Sequence, residues 1–287
     1  MGAYVENIYI GGGTPTTLEP HHLKAIFDRL KANFDFSKIK EFTLEAGRPD
    51  TITKDKLYEA KQGGVNRISI NPQTMNEQTL KRVGRKHTPD MVRKCFEMAR
   101  KMGFDNINMD LIAGLNGETV KDFKDTLNEI KKLSPESFTV HSLVVKRASE
   151  YRKMREEEGI SHTEGVVSAM LFEAMEYAKN NGYNPYYMYR QKNKAGLGEG
   201  HVLENVGYAK PGKESVYNVM IMEEKQTILA LGAGAQSKYV KPYNPYSGAN
   251  PEIVRIANVK NVYEYIDRID EMIERKKRWL DGQIVNQ

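Results

Sequence analysis

Short apolar, β-branched runs alternate along this chain with segments whose apolar residues recur at helical spacing. Ile8 to Ile10 reads as a buried strand that stops at Gly11-Gly12-Gly13. Leu23, Ile26, Phe27 and Leu30 then recur three and four apart, which predicts a helix over residues 19–33. Phe42 to Ala46 predicts a second strand, with a helix over 54–62 closed by Gly63-Gly64. A third strand over 65–70 ends in Asn71-Pro72-Gln73, and helices over 76–83 and 89–102 follow, the second opened by Thr88-Pro89. A fourth strand over 107–112 closes on Ala113-Gly114, a helix covers 120–132, and a fifth strand covers 137–145.

Strand and helix thus alternate five times, in units of about 30 residues. Such alternation implies a parallel sheet. Gly11 to Thr14, Glu45, Gln73, Asp110 and His141 all fall at or near the C-terminal ends of successive strands. In a (β/α) barrel those ends converge on one mouth, so a curved, barrel-like α/β sheet is expected. The second half is less regular. Residues 146–161 are rich in Arg, Lys and Glu and read as a solvated helix or lid. A helix is predicted over 166–180, a strand over 185–190, a Gly/Lys-rich loop over 192–200, a strand over Tyr217 to Met222, a turn over 232–237 and a charged helix over 262–281. With no repeat or linker, residues 1–287 read as one domain, 1–145 forming the βα units and 146–287 its C-terminal part.

Composition narrows the setting. An apolar fraction of 39% supports a core, and no run of about 18 apolar residues could span a membrane. The opening residues lack the pattern of a secretory signal, and the single cysteine leaves no disulfide framework, so a cytoplasmic chain is expected. One thiol also cannot supply an iron–sulfur cluster or a zinc site by itself, so no metal ligands are assigned. Cys95 lies among Met91, Val92, Phe96, Ala99 and Met102 on an apolar helix face and reads as a buried structural residue. A net charge of +5 suits an anionic ligand without requiring nucleic acid.

The glycine turn carries the first candidate chemistry. Three glycines let a backbone approach a ligand closely, and Thr14 adds a hydroxyl. Neither G-x-x-x-x-G-K-[ST] nor G-x-G-x-x-G is present, so on spacing alone a ligand loop and a plain strand-to-helix turn stand level.

Taken together, Tyr9-Ile10-Gly11-Gly12-Gly13-Thr14-Pro15-Thr16, Leu44-Glu45, Ser69-Ile70-Asn71-Pro72-Gln73, Arg82-Val83-Gly84-Arg85 and Asn108 to Leu115 resemble, in order and spacing, the oxygen-independent coproporphyrinogen-III oxidase family of radical S-adenosylmethionine enzymes. His141 to Ser149 and Asn205-Val206-Gly207-Tyr208 resemble a bacterial branch of it. The family binds a 4Fe-4S cluster through C-x-x-x-C-x-x-C after its first barrel strand, upstream of the glycine motif. Here that motif begins at residue 11. The resemblance therefore implies a partial (β/α) barrel with the first strand and the cluster-binding segment missing, and a C-terminal α+β extension.

It also implies S-adenosylmethionine as cofactor, a tetrapyrrole substrate, an electron donor, and conversion of coproporphyrinogen III propionates to vinyl groups. A haem chaperone, or an inactive tetrapyrrole-binding relative, is the alternative. By the same resemblance Gly12, Gly13 and Thr14 line the methionine moiety, Glu45 faces its ammonium and Arg85 its carboxylate. Gln73 and Asp110 hold the ribose, and Ile112, Ala113 and Val144 pack on the adenine, although core packing alone would also explain those three. No catalytic residue is assigned. His141 reads as a core or rim histidine, with a substrate role as the alternative. Lys146, Arg147, Arg152 and Arg190 read as a rim for substrate carboxylates or as a solvated face. Tyr183, Tyr186, Tyr187 and Tyr189 stack on a macrocycle or fill the open side of the barrel.

Overall fold

The computed structural model describes residues 4–143, 164–191, 203–241, 246 and 252–280. The chain divides into two compact units, Met1–Val219 and Met220–Gln287, although no composition shift marks the division.

In the first unit, strands β1 (Asn7–Ile10), β2 (Glu41–Gly47), β3 (Arg67–Ile70), β4 (Ile107–Ala113) and β5 (Ser137–Ser142) pair in parallel in chain order. β7 (Leu203–Ala209) then pairs antiparallel with β5, and β6 (Asn184–Gln191) antiparallel with β7. The result is a curled, seven-stranded half-barrel with the order β1-β2-β3-β4-β5-β7-β6. Helices α1 (Pro20–Asn33), α2 (Lys54–Gln62), α3 (Glu77–Arg82), α4 (Pro89–Lys101), α5 (Val120–Leu133) and α6 (Glu164–Asn180) connect or follow the strands.

Four of these helices, α2 to α5, start where the sequence supplies a side-chain cap. Thr53, Asn76 and Thr88 accept backbone N–H groups of α2, α3 and α4, and Thr119 with Asp122 forms a capping box on α5. The apolar faces of the helices meet one face of the sheet. Leu23 and Phe27 of α1, Val92, Phe96 and Ala99 of α4, and Phe123, Leu127 and Ile130 of α5 are buried in one core with Phe42, Leu44, Ile68, Ile107, Met109, Leu111, Phe138 and Val140 of the strands. Cys95 joins this core, as expected, its thiol donating to the Pro49 carbonyl at 3.3 Å.

One predicted element changes class. Tyr217 to Met222 reads as a strand from its apolar run, but Val216–Glu223 is a helix, α7. The cause lies far away in sequence. Glu41, only 4% exposed at the start of β2, accepts the backbone N–H groups of Val216 (2.8 Å) and Tyr217 (3.2 Å) and the Ser215 hydroxyl (3.0 Å). A carboxylate placed at the free N–H groups of a first turn stabilises a helix start.

In the second unit, β8 (Gln236–Val240) and β9 (Ile253–Ala257) form an antiparallel ribbon. The charged segment predicted as one helix is two, α8 (Val262–Asp267), capped by Asn261, and α9 (Ile269–Leu280). Met272 of α9 is buried, and the buried Lys276 ammonium bonds the Asn258 side-chain oxygen. Among the described residues no helix is long and apolar enough to cross a membrane.

A stability prediction follows from Glu118, on the loop after β4. It is 1% exposed, and burial pushes its carboxyl up to about 7, the Thr74 hydroxyl bond offsetting only part of the shift. A carboxyl whose folded pKa exceeds its unfolded one stabilises the fold at low pH and loses that contribution as pH rises. Unfolding free energy is therefore expected to fall between about pH 4.5 and 7, by up to roughly 1.4 kcal/mol per pH unit from this group. Glu118→Gln should flatten that slope in urea titrations run across the same range.

Candidate active site

The concave face of the half-barrel is polar by strict alternation. Phe42, Leu44 and Ala46 of β2 enter the core, so Glu41, Thr43 and Glu45 face inward. Arg67 and Ser69 of β3, Asn108 and Asp110 of β4, and Thr139 and His141 of β5 do the same. With Tyr9, Thr43, Glu45, Tyr187, Ser215 and Asn218 they line a cavity of about 120 Å3.

At the mouth, Glu45 accepts the Gly12 N–H at 3.2 Å and is bonded by the Tyr9 hydroxyl. Gly11 has to be glycine here. A Cβ would lie 2.4 Å from the Tyr9 ring and 2.7 Å from a Glu45 oxygen. Gly12 and Gly13 have φ of +80° and +43°, and a Cβ on either would meet nothing within 4 Å, so their backbone borders open space.

Asp110 carries the other mouth carboxylate. The Asn108 amide donates to it at 2.8 Å, and His141 Nε2 lies 3.8 Å from the same oxygen. Burial alone would raise the Asp110 carboxyl, but the His141, Asn108 and Thr139 contacts outweigh it and hold it below its ordinary range. Burial alone would lower His141. Asp110, Asn205 and the charge of Glu45 reverse that and raise it. Glu45 moves the opposite way to Asp110, raised chiefly by burial, with the Tyr9 bond opposing and the Asp110 charge adding. The two mouth carboxylates are thus driven apart in acidity.

The remaining predicted positions distribute unevenly. Thr14 is half-buried directly after the glycines. Gln73 lies beyond β3 in a left-handed conformation, φ 65°. Its N–H donates to the Asp110 carbonyl at 3.0 Å and its carbonyl accepts the Ile112 N–H at 2.9 Å, so Gln73 extends the sheet beside Asp110. Arg85 is half-buried on a loop that His87 ties to the Pro72 carbonyl at 3.1 Å. Burial and the Arg48 charge lower its guanidinium, opposed by Asp50. Ile112 shares the face of Asp110 and is half-buried, whereas Ala113 is fully buried in the hydrophobic core. Val144, Lys146, Arg147 and Arg152, and the side chain of Arg190, lie outside the described residues. Of the tyrosine run, Tyr183 is core, packed on Phe138 at 5.2 Å, and Tyr189 is exposed. Tyr187 lines the cavity, lying across Gly207, where a Cβ would be 2.0 Å from its ring.

The floor of the cavity was not anticipated. Arg67 and Asn108 sit at the N-terminal halves of strands, Ser215 immediately before α7 and Asn218 on it. The available signal was the period-two alternation itself, E-F-T-L-E, R-I-S-I, N-M-D-L and S-F-T-V-H, which puts a polar residue inward at every level.

A curled parallel half-barrel with a glycine turn after one strand and carboxylates at the next strand ends is the architecture of radical S-adenosylmethionine proteins. Residues 2–130 match the family model of the radical SAM superfamily and form a radical SAM domain. Within that superfamily the resemblance to oxygen-independent coproporphyrinogen-III oxidases stands. Over 278 residues the chain is 44% identical to the oxygen-independent coproporphyrinogen-III oxidase-like protein HemZ of Bacillus subtilis (strain 168), across 96% of this chain and 53% of that protein. It is 32% identical over 272 residues to the heme chaperone HemW of the same organism, across 93% of this chain and 63% of the relative. The fold is shared with coproporphyrinogen III oxidase (HemN) from Escherichia coli, with a TM-score of 0.70 at 21% identity, over 93% of this chain and 57% of that one. The chain therefore spans between about half and two-thirds of the length of these relatives.

The Asp110–His141 pair is open to direct titration. His141 is expected to titrate above its ordinary value of 6.5. In Asp110→Asn the largest raising contribution is gone while burial persists, so the His141 pKa should fall. The His141 ring-proton shift followed by NMR across pH 5–9 checks this, and an unchanged value in the variant would refute the pairing.

Proposed function

We propose that this chain is the cofactor- and substrate-binding barrel of an oxygen-independent coproporphyrinogen III dehydrogenase. The overall reaction would convert a propionate side chain to a vinyl group, with loss of a β-hydrogen, carbon dioxide and an electron. The observation that carries the reading is the mouth, where the open backbone of Gly12 and Gly13 stands beside the Glu45 carboxylate. Two glycines facing open space form a cradle that any Cβ would fill, and a ligand with an ammonium suits the acceptor-only carboxylate next to it.

In this reading S-adenosylmethionine supplies the hydrogen-abstracting radical chemistry when bound and reduced. Gly12, Gly13 and Thr14 border its methionine portion, and Glu45 accepts from its ammonium. That contact would draw down the Glu45 carboxyl, which burial otherwise raises. Arg85, with no ion pair among the described residues, offers its fork to the methionine carboxylate. Asp110, held ionised by His141, and Gln73 beside it accept the ribose hydroxyls. Ile112, on the same face of the strand as Asp110, would border the adenine. The residues do not fit an iron–sulfur cluster. Cys95 is the only thiol, lies in the core, and is pushed up to about 11 by burial, so no step is drawn through a cluster on this chain. An electron donor and a cytoplasmic setting belong to the same proposal.

A second reading, a haem-carrying protein, is favoured by the similarity to HemW together with the single cysteine. Binding separates the two without requiring turnover. By calorimetry the chain should bind S-adenosylmethionine, and Asp110→Ala should weaken it roughly tenfold to hundredfold, the cost of about 1–3 kcal/mol for a lost buried partner. Fluorescence titration should find coproporphyrin III bound. Tight binding of haem with no affinity for coproporphyrin III would hand the chain to the second reading, and no affinity for S-adenosylmethionine would remove the first.

A further inference from the structure

Arg67, at the start of β3, is 3% exposed and lines the deep end of the cavity. Its guanidinium donates to three neutral acceptors, the Asn106 side-chain oxygen (2.7 Å), the Ser137 hydroxyl (3.0 Å) and the Lys213 carbonyl (3.4 Å). Among the described residues it forms no ion pair. A guanidinium does not deprotonate, so it stays a permanent cation. Holding such a charge out of water without an anion is costly, and buried charges are ordinarily paired.

The carboxylate sharing this floor is already committed. Glu41 accepts from Ser215, Val216 and Tyr217, and from the Thr43 hydroxyl at 3.2 Å. The carboxylate of Asp110 is engaged at the mouth by Asn108 and His141. Around Arg67 the cavity wall offers further hydroxyl and amide groups, from Ser69, Asn108, Thr139, Ser215 and Asn218. At about 120 Å3 the space is well below the roughly 300–1,000 Å3 of pockets that take whole small molecules. It excludes a macrocycle and suits a short arm ending in a planar anion.

We propose that the deep end of the barrel is a carboxylate pocket in which Arg67 receives one carboxylate-bearing arm of the substrate, making it a specificity-determining residue. The inference rests on the reading above that the substrate carries propionate arms. Arg67 supplies the fixed fork, and the arm's carboxylate supplies the missing anion. A ligand with the arm blocked as an ester would leave the cation unpaired and should be rejected.

The test compares coproporphyrin III with its tetramethyl ester, by fluorescence titration of the native protein, Arg67→Gln and Arg67→Lys. S-adenosylmethionine affinity and thermal unfolding serve as the measures of an intact fold. The native protein should prefer the free acid. Arg67→Gln should lose roughly tenfold to hundredfold of that affinity, and Arg67→Lys less, with S-adenosylmethionine binding unchanged. Equal coproporphyrin affinity in native protein and Arg67→Gln would overturn the pocket and leave the dehydrogenase reading standing. Should the native protein bind no tetrapyrrole, that reading falls, and propionate alone becomes the probe. A shift of the Arg67 Nε–H resonance of native protein on titration with propionate would uphold the anion pocket, and its absence would overturn it. The same resonance keeps the question open to decision where a variant fails to fold.

Discussion

Successive side chains of a strand leave on opposite faces, and here that one constraint governs both stability and chemistry. The apolar set of β2 to β5 goes to the helices and builds the core. The alternate set is then forced inward as Glu41-Thr43-Glu45, Arg67-Ser69, Asn108-Asp110 and Ser137-Thr139-His141. Shifting any strand by one residue would exchange the sets, burying carboxylates among phenylalanines, so the register of the site is fixed by the register of the core. The interior that results is stacked in levels, with a mouth of carboxylates and a floor bearing a guanidinium.

Electrostatic character changes across that interior. Glu45 is raised and Asp110 lowered although both face the same cavity, because the imidazole and the two neutral donors on Asp110 outweigh its burial, whereas the Tyr9 and Gly12 bonds to Glu45 do not. Neighbouring groups whose acidities are driven apart in this way are a mark of functional sites.

Much of this was legible in the sequence, for identifiable reasons. Helical spacing and capping residues such as Thr53, Thr88 and Thr119 act locally, so the first five βα units fall where the pattern puts them. The glycine turn and the strand-end residues Glu45 and Asp110 were found because special residues interrupt an apolar run. The floor was missed because Arg67, Asn108 and Ser137 sit at strand starts, where attention to strand ends does not reach. The segment 216–223 was read as a strand because its apolar composition has no helical stripe. What makes it a helix is a carboxylate supplied by Glu41, which no local window contains. Ala113 was drawn toward the site by its place in a matching block, while its position in the pleat sends it to the core.

The contact between Glu41 and the start of α7 spans 175 positions of sequence. Closing so long a loop carries an entropic cost that shorter-range pairings in the sheet do not. During synthesis β2 emerges long before Ser215, and until then Glu41 faces inward with its N–H partners still unmade. The parallel sheet and its helices can therefore assemble as an early body, with the floor sealed as one of the last steps. A nascent chain halted before residue 215 would hold a barrel open at its base, with water at the position that the first turn of α7 later takes.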